Sequence, residues 1–123
     1  MISLEAFSSS LYNWTFISKT AGDDGNKFFM DISSITKNEL GNNVAWILHN
    51  NEHDGESSIA LTEFDCIKLR IRDLHSKFFD SLNGKGTVKH DLNHEQLLEY
   101  GFGDWVSPEP RSNNYYLLKA ACN

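Results

Sequence analysis

The chain has 123 residues, enough for one domain with one core and too few for two. Its formal charge of −6 argues against a general nucleic-acid binder, because counterion release needs Lys and Arg clustered on a basic surface. No apolar run reaches the length of a membrane helix, so no membrane span is expected.

In chain order, residues 1–12 read as a flexible N-terminal segment, with Ser8 to Ser10 as a loose tether. The start has no basic stretch followed by a long apolar one, so it is not an intact secretory signal. Either a cytosolic protein, or an exported one whose signal is absent from the chain, fits this beginning. A single domain is expected over 13–123.

"NWTFISK" is dense in aromatic and β-branched residues and predicts a strand. "AGDDGN" is a loop by its turn chemistry, and "KFFMDIS" a second strand. "SSITKNELGNN" predicts a tight, irregular connection with Gly41 and Asn42 at a turn. "NVAWILHN" alternates cleanly, Val44, Trp46 and Leu48 against Ala45, Ile47 and His49, which predicts a central strand. The stretch from Ser57 to Asp80 is too long for one ordinary strand and predicts two, with a turn or bulge near Asp65 to Lys68. In "IKLRIRD", Ile67, Leu69 and Ile71 alternate with Lys68, Arg70 and Arg72. A turn is expected around Asn83 and Gly84.

Val88 to Tyr100 is ambiguous, with Asp91 or Asn93 as candidate caps of a helix. "GFGDW" breaks it and "SPEP" is an extended entry to the last element. "SNNYYLLKAACN" predicts a short helix capped by Ser112 or Asn113, with Leu118 and Cys122 on one face, flanked by Leu117 and Ala121. At this length it is marginal alone in water. Cys122 on that stripe is placed to tie the last turn to the sheet. Neither cysteine belongs to a CxxC or CxxH pair, which disfavours zinc or dithiol chemistry. Free buried thiols and a Cys66–Cys122 disulfide both remain open at this point.

No nucleophile elbow, phosphate loop or dinucleotide fingerprint is present, so no catalytic residue, metal or cofactor is assigned and a non-enzymatic role is expected. His90 and His94 are four apart and would share one helix face, a spacing that suits a metal. A solvated polar segment is the simpler reading of them, and of the second loose cluster, His49, His53 and Asp54. Lys68, Arg70 and Arg72 share one strand face. They form either a cationic stripe for an acidic partner or a solvated face paired with carboxylates such as Glu63 or Asp73. Trp14, Trp46 and Trp105 are either recognition aromatics or core residues, and the core is the simpler reading of them. Tyr115 and Tyr116 are adjacent on the helix and cannot both point inward, so at least one is a candidate partner contact.

The ordered landmarks resemble the surface-adhesin protein E family of bacterial envelopes. They are the Trp14 strand, "FFMDISSI", "VAWIL", "EFDC", "KLRIRDLHSKFFD", "DWVSPEPRS" and "LLKAAC", spanning roughly residues 13 to 123. The resemblance implies an α+β fold: an antiparallel meander of five or six strands, with a C-terminal helix packed on one face and tied by a Cys66–Cys122 disulfide. It implies export to the periplasm or the outer cell surface, where disulfides persist. It further implies a protein-binding module of adhesin type with a protein partner, a host extracellular protein among the candidates. The alternatives are a small metal-dependent protein using His90 and His94, and a structural envelope protein without a host ligand. A homodimer by edge pairing is a further expectation. In the adhesin that gives the family its name, binding of host matrix and plasma proteins is tied to a basic stretch before the first cysteine. Here that stretch carries Glu52, Asp54, Glu56 and Glu63, so no ligand-contacting residue is carried over.

Overall fold

The computed structural model describes residues 11–21 and 25–123. Its strands are β1 (Trp14–Lys19), β2 (Asn26–Asp31), β3 (Thr36–Lys37), β4 (Asn43–Asn51), β5 (Glu56–Asp65), β6 (Arg70–Phe79) and β7 (Val88–Asn93); its helices are α1 (His94–Glu99) and α2 (Asn113–Cys122). The sheet runs β1-β2-β4-β5-β6-β7, every pair antiparallel, and the two-residue β3 adds a seventh strand by pairing with β4. The expected meander is therefore present. The flexible segment expected over 1–12 falls mostly on residues 1–10, which lie outside the described residues, as do residues 22–24 of the expected first loop. Tyr12 belongs to the fold, its ring stacked 4.7 Å from that of Trp14.

Both faces of the sheet bury apolar side chains, as the alternation of β4 requires. Ala45 and Ile47 point to one side and join Met30, Phe64 and Ile71 under Leu117, Leu118 and Ala121 of α2. Leu48 points to the other and joins Ile59 and Phe79, with Tyr12, Trp14, Phe29 and Trp46 packed around them. Ser112 caps α2 by accepting the Tyr115 N–H. A ten-residue helix gains little from its own hydrogen bonds. Burial of its two leucines, worth roughly 2 kcal/mol each, holds it on the sheet, together with the Cys66–Cys122 disulfide.

One open reading resolves, with Asn93 as the helix cap, and one changes. Residues 88–93 are a strand, and the helix starts at His94 behind an Asn93–Gln96 capping box. The strand expected over "IKLRIRD" begins only at Arg70: Asp65 Oδ1 accepts the N–H groups of Ile67 and Lys68, which turns the chain and sets Leu69 at φ 54°. Ile67 and Leu69 therefore lie outside the core. Finally, both outer strands pair irregularly, with register shifts at Phe16/Ser18 and Phe78/Phe79. Such bulges blunt an edge against pairing with another chain.

The turn after β6 carries Asn83 at φ 65° and Gly84 at φ 69°. A Cβ on Gly84 would stand 2.5 Å from Ile59 Cδ1. Gly84→Ala is expected to cost about 2 kcal/mol, combining left-handed backbone strain with displacement of Ile59. Asn83→Gly, which relieves backbone strain but gives up the bond from Asn50, serves as the comparison in urea melts.

Candidate protein-contact surface

The reversal between β5 and β6 brings two acidic side chains opposite two arginines. Glu63 pairs in register with Arg72, and Asp65 with Arg70. Arg72 Nε lies 2.7 Å from Glu63 Oε1, and Arg70 Nε 3.1 Å from Asp65 Oδ2. Both guanidinium groups also address Trp105: the Arg70 and Arg72 Cζ atoms are 4.3 and 4.2 Å from its ring centroid. Each such contact contributes about 0.5–2 kcal/mol depending on solvation. Trp105 is held there by its neighbour, because Val106 exchanges backbone hydrogen bonds of 2.8 and 2.9 Å with Ile71.

Glu63 anchors the arrangement from below, with 1% of its surface exposed. Burial by itself would raise its pKa. Hydrogen bonds donated by Asn42, Asn38 and Arg72, with the Arg72 charge, outweigh that and hold the carboxylate below its usual range. Asp65 is lowered as well, first by the Lys68 N–H against a smaller desolvation cost, then by Arg70 and the Ile67 N–H. The two arginines are thus fixed and neutralised rather than free to take an anion.

Around this ladder the surface carries exposed aliphatic side chains among polar ones. Ile67 is 93% and Leu40 70% exposed, and with Lys68 and Trp105 they line an open depression of about 480 Å³. Across the 66–69 turn, Leu69, Pro108, Pro110, Tyr115 and Lys119 line a second one of about 490 Å³, which the disulfide also borders. Trp and Arg set among exposed aliphatic side chains is the composition of energetic centres in protein interfaces.

Arg70 and Arg72 share one strand face as expected; Lys68 does not, because it belongs to the turn. Tyr116 is exposed, while Tyr115 is half-buried with its ring edge-on to Tyr116. Trp14 and Trp46 pack against the core as expected, whereas Trp105 is half-buried under two arginines, outside both core clusters. Of the carboxylates expected beside the arginines, Glu63 is there, but Asp73 bonds Thr62 on the opposite face. The common helix face of His90 and His94 does not form: His90 is on β7 edge-on to Phe78, and His94 opens α1 against the Gly103 carbonyl. His49 stacks on Phe28, and Asp54 binds Asn51 within its own turn. Among the described residues no three His, Cys, Asp or Glu side chains gather as for a metal, and no helix is long and apolar enough to cross a membrane. Neither Leu40 nor Ile67 is singled out as a contact from the sequence, and Trp105 is assigned there to the core in preference to recognition. For Ile67 a usable signal existed, an apolar residue two positions after an aspartate competent to cap a turn.

A family model described as surface-adhesin protein E matches residues 14–123. No curated protein and no solved structure matches the chain.

Proposed function

Since the chain belongs to the surface-adhesin protein E family, we propose that it is an exported envelope protein, in the periplasm or on the outer surface, that works as a non-enzymatic, adhesin-like module by docking a protein partner. The family is one of surface adhesins, and a disulfide is consistent with export. The contact surface is the rim of the 66–69 turn: Ile67 and Leu40 as the apolar centre, Arg70 and Arg72 stacked on Trp105, Lys68 beside them, and Tyr115 and Tyr116 on the far side. The observation that carries this reading is the near-complete exposure of Ile67 next to a rigid, charge-paired Trp–Arg ladder. An exposed β-branched side chain on a turn contributes nothing to the core. Its surroundings are pre-organised, which lowers the ordering cost of binding.

The test immobilises the folded protein and measures binding to a panel of purified serum and extracellular-matrix proteins. At least one ligand is expected, and Leu40→Asp/Ile67→Asp should weaken it at least 10-fold while leaving the melting curve unchanged, because neither side chain is buried. Equal binding by the variant moves the contact elsewhere. A panel without ligands leaves a structural envelope role instead.

A further inference from the structure

Helix α2 covers only part of its face of the sheet. Next to Leu117 a cavity of about 100 Å³ opens beneath the first turn of the helix, lined in part by Phe28, His49, Ser58, Thr62, Asp73 and Asn114. That is well below the ~300 Å³ of a site for a drug-sized ligand, and suits the end of one side chain. Among the described residues Asp73 is its only acidic lining residue and His49 its only basic one. Asp73 shares this face with Ile71, two positions earlier, and stands opposite Thr62; the register slip follows it, with Leu61 facing His75 and Leu74 left over.

Thr62 Oγ1 donates to Asp73 Oδ1 at 2.8 Å. Oδ2 has no hydrogen-bond partner among the described residues, and no buried side-chain oxygen there lacks one, so Oδ2 is open to the cavity. Burial raises the Asp73 pKa, with the Thr62 bond opposing it weakly. His49, its Nε2 2.8 Å from Asn26 Oδ1, has a pKa lowered by burial and is neutral at pH 7. Among the described residues the cavity thus holds a desolvated carboxyl group and no cationic partner for it.

We propose that this cavity receives a primary alkylammonium group, the end of a lysine side chain from a protein partner, with its nitrogen at Asp73 Oδ2 and its methylenes along Phe28 and Leu117. A guanidinium binds best as a planar fork across both oxygens of a carboxylate, and a cavity of this size with Oδ1 turned to Thr62 suits it less well. A divalent metal needs more oxygen or nitrogen ligands than one carboxylate supplies. An ammonium needs one strong acceptor and hydroxyl neighbours, which Ser58 and Thr62 provide, and its charge relieves the desolvation that Asp73 bears alone. The site lies on the opposite face of the sheet from the Trp105 ladder and stands or falls independently of it.

Amide-resolved NMR titrations at pH 7 with n-butylammonium, with Nα-acetyl-lysine N-methylamide and with n-butanol test the assignment. Both amines are expected to give saturable shifts centred on Ser58, Thr62 and Asp73, with Kd of about 1–10 mM, and butanol none. Asp73→Asn, which keeps the shape, should weaken amine binding at least 10-fold. In the wild-type protein, binding should also fall as pH drops, because Asp73 gains a proton and His49, the other titratable group facing the cavity, gains a charge. Undiminished binding by Asp73→Asn, pH-independent binding, or no saturation overturns the site. Binding of butylammonium without the lysine derivative overturns its assignment to a lysine side chain.

Discussion

Replacing Cys66 and Cys122 by serine, or reducing the bond between them, is expected to destabilise the domain by about 4 kcal/mol and to lower its Tm by roughly 15–20 °C. The two residues are 56 apart in sequence. Closing a loop of that length restricts the unfolded chain by about 4 kcal/mol on the entropic account. For a domain of this size each kcal/mol moves Tm by about 4 °C. The loss should be concentrated in α2, whose remaining ties are the packing of Leu117, Leu118 and Ala121, the Asn113–Ser18 contact and the Asn43 amide donating to the Ala121 carbonyl at 2.8 Å. Far-UV circular dichroism melts with and without reductant measure it, beside a thiol titration of the denatured, unreduced protein that should find no reactive thiol. A Tm change below about 5 °C would mean that packing alone holds the helix. The same result bears on location: with total stability commonly about 5–15 kcal/mol, a loss of this size leaves a reduced protein with little margin.

What could be read from the residues was whatever repeats over a few positions. Alternation on β4 placed Ala45 and Ile47 on one face and Trp46 and Leu48 on the other, and two cores follow from that pattern. Spacing on α2 likewise marked Leu117, Leu118 and Ala121 as its buried stripe. The disulfide was legible only through the family resemblance, since two lone cysteines fit a free pair equally well. Where a short polar side chain competes with the sheet ladder, periodicity misled. The apolar–basic alternation of "IKLR" continues straight through the turn that Asp65 imposes, so Ile67 and Leu69 read as inward residues and Lys68 as a strand neighbour of Arg70. Contacts across long separations left no local trace. Trp105 meets Arg70 and Arg72 only because Val106 bridges Ile71, and Asp73, which alternation from Ile71 sets on the helix side, meets Thr62 only through the β5–β6 register.

Arg72→Met is expected to lose about 3 kcal/mol at pH 7, at the low end of the range for breaking a buried ion pair because Arg72 keeps some contact with water. The variant leaves Glu63 buried with only the Asn38 and Asn42 amides to hold its charge, and it removes one of the two guanidinium groups on Trp105. Its pH dependence distinguishes this cause from simple loss of packing. In the wild-type protein the folded Glu63 pKa lies below the unfolded value near 4.5, so its contribution is complete above that value and is lost as pH falls through the folded pKa. Glu63→Gln should therefore flatten the acid limb of the stability curve, and Arg72→Met, which lets the folded Glu63 pKa rise, should flatten it too, so that its deficit against wild type shrinks as pH falls. Asp73 acts with the opposite sign. Its folded pKa is raised, so it favours the native state below the unfolded value and loses that contribution as pH rises through the folded one. Asp73→Asn should accordingly gain stability at pH 7 relative to wild type. Urea midpoints from pH 3 to 8 for the four proteins resolve these limbs. If Arg72→Met and wild type differ by a constant offset across that range, the guanidinium serves as packing on Trp105 and the charge pairing with Glu63 is not what holds this end of the sheet.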